Sequence, residues 1–286
     1  MTENYVRTIY GANLQTCLLL NKPLVILPHT TINEALGINN SFTLATNQIP
    51  TLGYAIIGNG GFTSSLNTAG LPNIKPVQHI ARDSELFNQI PFVLRTVNND
   101  LTSGQQQGYR LRKNVTIANV AYIAYYGKVL DLSGSSVSLN LVTINSTTGV
   151  TTTIPFVPSI NDLNPTPQVL FNTGQNVTTG QYLTATAIVP FNLSSSDISE
   201  LLNVAQILYG DPGYANIGEI GICSGVDTTI TGTFNGVSSN YTEVGAMQIA
   251  TFVSAFVNCQ FNNNGANFAF DIGPVEPTLG LTNITV

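Results

Sequence analysis

The apolar positions of this chain fall into short runs punctuated by turn residues, and few stretches carry the 3.6-residue spacing of a helix. Residues 92–97, 109–117, 119–130, 137–144, 151–157, 181–189 and 215–223 read as strands, rich in Val, Ile, Thr, Tyr and Phe and separated by Gly, Ser, Asn and Pro. Residues 244–257 interleave Met247, Ile249, Val253 and Val257 with Gln248, Phe252, Ser254 and Phe256, which favours a long strand buried on both faces, with a helix as the alternative. One helix stands out near 197–209. Ile198, Leu201, Leu202, Ala205 and Leu208 recur at helical spacing after a Ser-rich start, Asp197 and Glu200 form a capping arrangement, and Gly210-Asp211-Pro212-Gly213 ends it. A second, short helix is expected over 81–89, stopped by Pro91. The first eighty residues, broken by Pro23, Pro28, Pro50, Pro72 and Pro76 and by Gly58-Asn59-Gly60-Gly61, read as extended arms and short strands. The expected fold is therefore mainly β: an antiparallel β-sandwich-like core over 81–286 with one or two short helices, preceded by an extended irregular N-terminal arm over 1–80.

Charge changes the picture in two ways. Of 286 residues only 8% are charged, against about 25% in ordinary soluble domains, while 43% are hydrophobic, so the chain has apolar matter for a core and is not disordered. Nine Lys and Arg against fifteen Asp and Glu leave a net charge of −6, which disfavours direct nucleic-acid binding. The placement is as informative as the total. All nine cations lie at or before Lys128, so residues 129–286 carry ten carboxylates and no Lys or Arg. Solvated sheets ordinarily use such cations to blunt their edges, and their absence points to a surface that is covered or that faces a basic partner, the alternative being an acidic solvated surface produced by compositional drift.

Candidate chemistry is sparse. Gly221-Ile222-Cys223-Ser224-Gly225 has the spacing of a nucleophile elbow, but only His29 and His79 exist, both before it, and the following residues read as a strand. Gly58-Asn59-Gly60-Gly61 lacks the Lys and following helix of a phosphate loop and reads as a turn. Cys17, Cys223 and Cys259 form no metal-ligand spacing and read as three buried free thiols; no calcium-loop pattern occurs. No cofactor, small-molecule substrate or membrane span is expected, and the start of the chain lacks the basic and apolar regions of a signal peptide. Arg110, Arg112 and Lys113 form the one basic cluster, with Arg110 and Arg112 on one face of a regular strand.

Several segments carry a family resemblance. Gln78-His79-Ile80-Ala81-Arg82-Asp83, Pro91-Phe92-Val93-Leu94-Arg95, Asn98-Asn99-Asp100-Leu101, Tyr109-Arg110-Leu111-Arg112 and Tyr122-Ile123-Ala124-Tyr125-Tyr126 resemble virion structural proteins of large contractile-tailed bacteriophages. Leu163-Asn164-Pro165-Thr166-Pro167, Tyr209-Gly210-Asp211-Pro212-Gly213, residues 220–227 and Asp271-Ile272-Gly273-Pro274-Val275-Glu276-Pro277 are similar too. These are turn and strand signatures, and no catalytic residue carries over with them. The resemblance implies assembly into the virion; with the charge-poor β-rich sequence and the lack of an active-site constellation, the expected role is a non-enzymatic structural subunit of the tail, baseplate or neck, made in the host cytoplasm and present as multiple copies, with other copies and other virion proteins as partners. Capsid decoration and a receptor- or glycan-binding adhesin are the alternatives. Arg110, Arg112 and Lys113 are the expected interface residues, meeting the acidic C-terminal half of the same or an adjacent copy.

Overall fold

A computed structural model describes residues 4–145, 147–164, 175–234, 237–261 and 264–282. In chain order they form β1 (Asn4–Arg7), α1 (Ile9–Leu20), α2 (Ile32–Leu36), β2 (Thr51–Gly58), β3 (Phe62–Leu66), β4 (Pro72–Pro76), β5 (Gln89–Ile90) and β6 (Val93–Thr96). Next come α3 (Ser103–Gln106), β7 (Tyr109–Ile117), β8 (Val120–Val129), β9 (Ser138–Ile144) and β10 (Thr151–Pro155). The remainder is β11 (Gln175–Leu193), α4 (Ser195–Tyr209), β12 (Asn216–Phe234), β13 (Val237–Asn258), β14 (Ala266–Ile272) and β15 (Val275–Thr282). The chain is mainly β, its paired strands are antiparallel and its core is sandwich-like, as the pattern of short apolar runs predicts. Pro165, Thr166 and Pro167 of the resemblance lie outside the described residues.

Two compact units divide the chain, Met1–Asp131 with Asn192–Asn267 and Leu132–Phe191 with Phe268–Val286. The expected boundary at residue 80 falls inside the first of them. Its eight-stranded sheet runs β1-β13-β12-β2-β8-β6, with β5 on β2 and β7 on β8, so β2 from the expected arm is an interior strand. The reason is apolar: Tyr54, Ile56 and Ile57 of β2 are buried, and the first two pack with Leu111, Met247, Ile249 and Phe252. The N-terminal region also contains helices where extended chain was expected. The Thr8 hydroxyl accepts from Gly11 N at 3.0 Å to start α1, and Asn21 closes it in the left-handed region at φ 49°. Gly11 lets this helix lie against β13, because a Cβ there would come within 2.6 Å of the Ala250 carbonyl oxygen. α2 is stitched to β13 by Asn33, whose Nδ2 donates to Val244 O and whose Oδ1 accepts from Met247 N, both at 2.8 Å. That amide occupies both groups beside Ala246, which takes a positive φ of 52°.

The long strand predicted over 244–257 lies within β13, substantially buried on both faces. The predicted helix near 197–209 is α4, shifted at its start: Ser194 is the N-cap and Asp197 the third helical residue, the two forming a capping box. Val204 packs on Leu94 and Ala124. The second unit is a five-stranded sheet in the order β10-β9-β11-β14, with β15 also paired to β11. Val142, Val189, Phe191 and Phe270 are its buried apolar residues among those described.

The helix expected over 81–89 does not form, and the cause is a carboxylate from a distant strand. Glu219 of β12 is fully buried; its Oε2 accepts from Phe87 N and its Oε1 from Asn88 N, each at 2.9 Å, which fixes that segment as turns leading into β5. Its Oε2 also lies 2.8 Å from Nε2 of His79, whose Nδ1 lies 3.1 Å from Asp83. The imidazole is stacked between Phe87 and Phe252 at centroid distances of 4.0 and 3.8 Å. The turn Gly58-Asn59-Gly60-Gly61 is shaped by the same group: a Cβ on Gly58 or Gly60 would sit 2.4 or 2.7 Å from Oε1 of Glu219. On the neighbouring Gly218 it would meet the Gly60 carbonyl at 1.9 Å. These glycines give room to a carboxylate of the protein itself.

Removing one partner of such a buried set leaves the others desolvated and unpaired. Glu219→Ala is expected to lower unfolding free energy by about 3–5 kcal/mol in urea titrations. The exposed control Leu19→Ala should stay within about 0.5 kcal/mol of wild type. A Glu219→Ala loss as small as the control's would remove the tie from the account of this fold.

Candidate functional site

The β7–β8 hairpin turns at Ala118 and Asn119, both with positive φ (48° and 64°), the pattern of a tight two-residue turn. Alternation along β7 then sets its residue faces. Leu111 points into the core, while Arg110 and Arg112 share the other face, as the sequence spacing predicts. The two arginines reach different carboxylates. Arg110 Nε donates to both oxygens of Asp227 at 2.9 and 3.0 Å. Arg112 donates to Asp100 Oδ2 at 2.8 Å, and Lys113, on the other face, donates to the Leu36 carbonyl at 2.5 Å. Of the three expected interface cations, Arg110 thus meets the C-terminal half within the same chain, whereas the other two are engaged by the N-terminal half.

Each carboxylate in this region also receives a tyrosine. Tyr54 OH donates to Asp227 at 2.8 Å, and Tyr125 OH to Asp100 at 2.6 Å. Lys128 and Tyr109 both donate to Asp197 Oδ1, at 2.8 and 3.3 Å, and the Lys128 ammonium sits over the Tyr109 ring. Three sets of cation, carboxylate and phenol result, buried or half-buried except at Asp227, which is exposed. Burial, followed by the neighbouring carboxylate, pushes the phenols of Tyr54, Tyr109 and Tyr125 well above the ordinary tyrosine range. Burial also works to raise Asp197, but the hydrogen bond and charge of Lys128 and the bonds from Ser194 outweigh it and hold this carboxyl below its usual value. No sequence signal marks these sets, because every carboxylate lies far from its cation or phenol along the chain.

Between β7, the segment around α3 and the outer half of the β12–β13 hairpin lies a cleft of about 430 Å³. Tyr109, Arg110, Arg112, Gln107, Asn240 and Tyr241 are among its walls. Near it, Glu243 is buried with no hydrogen-bond partner at Oε1, and burial raises its carboxyl above the ordinary range despite the side chains of Asn39 and Tyr241. Such a cleft offers aromatic faces and amide groups, and its charges are already paired; it can hold a neutral polar ligand better than an anion.

The nucleophile-elbow spacing has no such geometry. Residues 221–225 lie within β12, Cys223 is fully buried, and burial pushes its thiol well above the ordinary range. Cys259 is buried too, but Cys17 is only partly so, in contrast to the three buried thiols expected. Among the described residues no group of three or more His, Cys, Asp or Glu is arranged to hold a metal ion. No described helix is long and apolar enough to cross a membrane.

The model of a family described as "Family of unknown function (DUF7208)" matches residues 1–286. No curated protein and no solved structure matches the chain.

Two titrations check the charge geometry. Asp197 is held below its unfolded value, so its contribution is fully present above the ordinary carboxyl range near pH 4 and is lost as pH falls through the folded value. Lys128→Met should therefore flatten the acid limb of the unfolding-midpoint profile; an unchanged limb would contradict the pairing. The three raised phenols have the opposite sense, stabilising below about pH 10 and losing that stabilisation as pH rises through their folded values. Ultraviolet difference titration should show late-ionising tyrosines that become fewer in the triple Phe variant at positions 54, 109 and 125.

Proposed function

We propose that this chain, which belongs to the DUF7208 family, is a non-enzymatic structural subunit of a tailed-phage virion, built as multiple copies into the tail, baseplate or neck. The observation that carries the assembly part of this reading is a helix whose apolar residues lie around its axis rather than on one face, and which is left largely open. α1 reads Ile-Tyr-Gly-Ala-Asn-Leu-Gln-Thr-Cys-Leu-Leu-Leu, yet only Leu14 in it is buried, and Leu19 and Leu20 are 80% and 63% exposed. A helix apolar all round belongs in an interior, and exposed apolar surface on this scale marks an interaction site. The second unit supports the same reading: Val157 and Leu163 are 78% and 82% exposed, and its edge strand β10 is exposed at every position. An open edge without Lys is suited to pairing with another chain. The virion itself enters through the sequence resemblance carried by residues such as Tyr109-Arg110-Leu111-Arg112.

A second reading rests on the cleft beside β7. Its tyrosines and amides suit a saccharide, which would make the chain a receptor-binding adhesin of the particle. The two readings part at one residue. Tyr241→Ala should leave particle formation unchanged under the structural reading and reduce host adsorption under the adhesin reading.

Purified protein is expected to self-associate in sedimentation as concentration rises. Cryo-electron microscopy of intact particles should place many copies with α1 covered. A chain that stays monomeric at all concentrations and contributes a single, largely exposed copy to the particle would overturn the proposal.

A further inference from the structure

The nine cations separate into two classes. Arg95, Arg110, Arg112 and Lys128 pair with carboxylates, and Lys113 with a carbonyl, all within the first unit. Arg7, Lys22, Lys75 and Arg82 are exposed, and among the described residues none of them has an ion-pair partner; Arg7 reaches only the side-chain oxygen of Gln15. Three of these four frame α1. Arg7 ends β1 just before the helix, and Lys22 follows it, its N–H bonded to the Cys17 carbonyl. Arg82 lies beside the first turn, where Ile9 N donates to Ala81 O and Tyr10 OH donates to Arg82 O. Within this frame stand the exposed Ile9, Leu18, Leu19 and Leu20. The first unit thus presents an apolar helix with a positive rim.

The second unit presents the converse. It contains no Lys or Arg, and its three carboxylates, Asp162, Asp271 and Glu276, are all exposed. Large apolar side chains at Ile154, Val157, Ile160 and Leu163 are exposed on the same unit.

We propose that the occupant of the α1 surface is the second unit of another copy of this chain, so that copies associate head to tail. The inference rests on the assembly reading above and specifies its contact. Charge selects this pairing over the symmetric ones: α1 against α1 brings positive rims together, and second unit against second unit brings carboxylates together, whereas the mixed contact joins opposite signs around two apolar surfaces. A contact of this kind is heterologous. Repeated, it closes into a ring or propagates as a helical tube, and it leaves no two-fold axis between neighbours. The apolar side chains supply the buried area, and the rim charges supply register and encounter rate, which screening by salt should weaken.

The test uses two charge-reversed variants of the full chain. In the first, Arg7→Glu, Lys22→Glu and Arg82→Glu make the helix surface acidic; in the second, Asp271→Lys and Glu276→Lys make the second unit basic. Each alone is expected to self-associate about tenfold or more weakly than wild type in sedimentation, because both of its contacts are now like-charged. An equimolar mixture is expected to associate again, each variant supplying the partner the other lacks. Circular dichroism and unfolding midpoints matching wild type establish that both variants fold. If either fails to, wild-type association that does not weaken with added salt is sufficient to overturn the contact. Variants that associate singly as wild type does, or a mixture that remains dissociated, would also overturn it while leaving self-assembly by another surface intact. A wild-type chain that never self-associates would instead remove the assembly reading itself.

Discussion

A single buried carboxylate organises the first unit. Glu219 lies on an inner strand of the sheet, cannot reach water, and satisfies itself on His79 and on two successive backbone N–H groups at Phe87 and Asn88. Isolated burial of a charge would be prohibitive, so every neighbour has to be in place at once. The aromatic rings above and below the imidazole exclude solvent, and the glycines at 58, 60 and 218 let three backbones approach what no Cβ would permit. Local folding preferences give way to this demand. Residues 81–89 have the composition of a short helix, but the amides a helix would use point at a side chain more than 130 residues away.

The same economy governs the other charges of the first unit. A chain with few ionisable groups places most of its internal cations against carboxylates and caps these with phenols, so that polarity is consumed inside the fold. Pairs of this kind add little net stability compared with an apolar filling, yet they tie distant stretches of chain to one another. What remains on the outside is apolar or uncharged to an unusual degree. The low charge of the sequence is therefore a statement about surfaces more than about the core.

How much of this was legible beforehand depended on whether the cause was local. Turn residues and β-rich runs disclose the antiparallel architecture, and the amphipathic stretch ending at Gly210 discloses α4 because its period is written in its own side chains. Residues 244–257 were readable as a strand buried on both faces for the same reason. α1 was not: its apolar residues surround the axis, so no period separates it from an extended segment, and its start depends on one Thr hydroxyl. The arginines on β7 were visible as a cluster and as one face, but their partners at 100 and 227 come together only through sheet topology. Spacing alone misleads at Cys223, since an elbow needs a turn and this segment continues as a strand.

The sheet of the first unit joins distant stretches of chain: Thr8 bonds the carbonyls at 249 and 250, and β2 pairs with residues 219–225. The β1 edge and the β2–β12 pairing therefore depend on residues far down the chain. During synthesis, β1 must wait for β13, and β2, which can pair earlier with β5 and β8, meets β12 only when most of the polypeptide has emerged; closing so long a loop is slow. Throughout that interval the strands they will cover are unpaired and α1 has not yet met β13. Nascent chains on one message would then be held at a stage when their stickiest segments are free, so the order of events matters: intramolecular closure has to precede encounter between copies, and folding factors acting in that window would control the yield of competent protein.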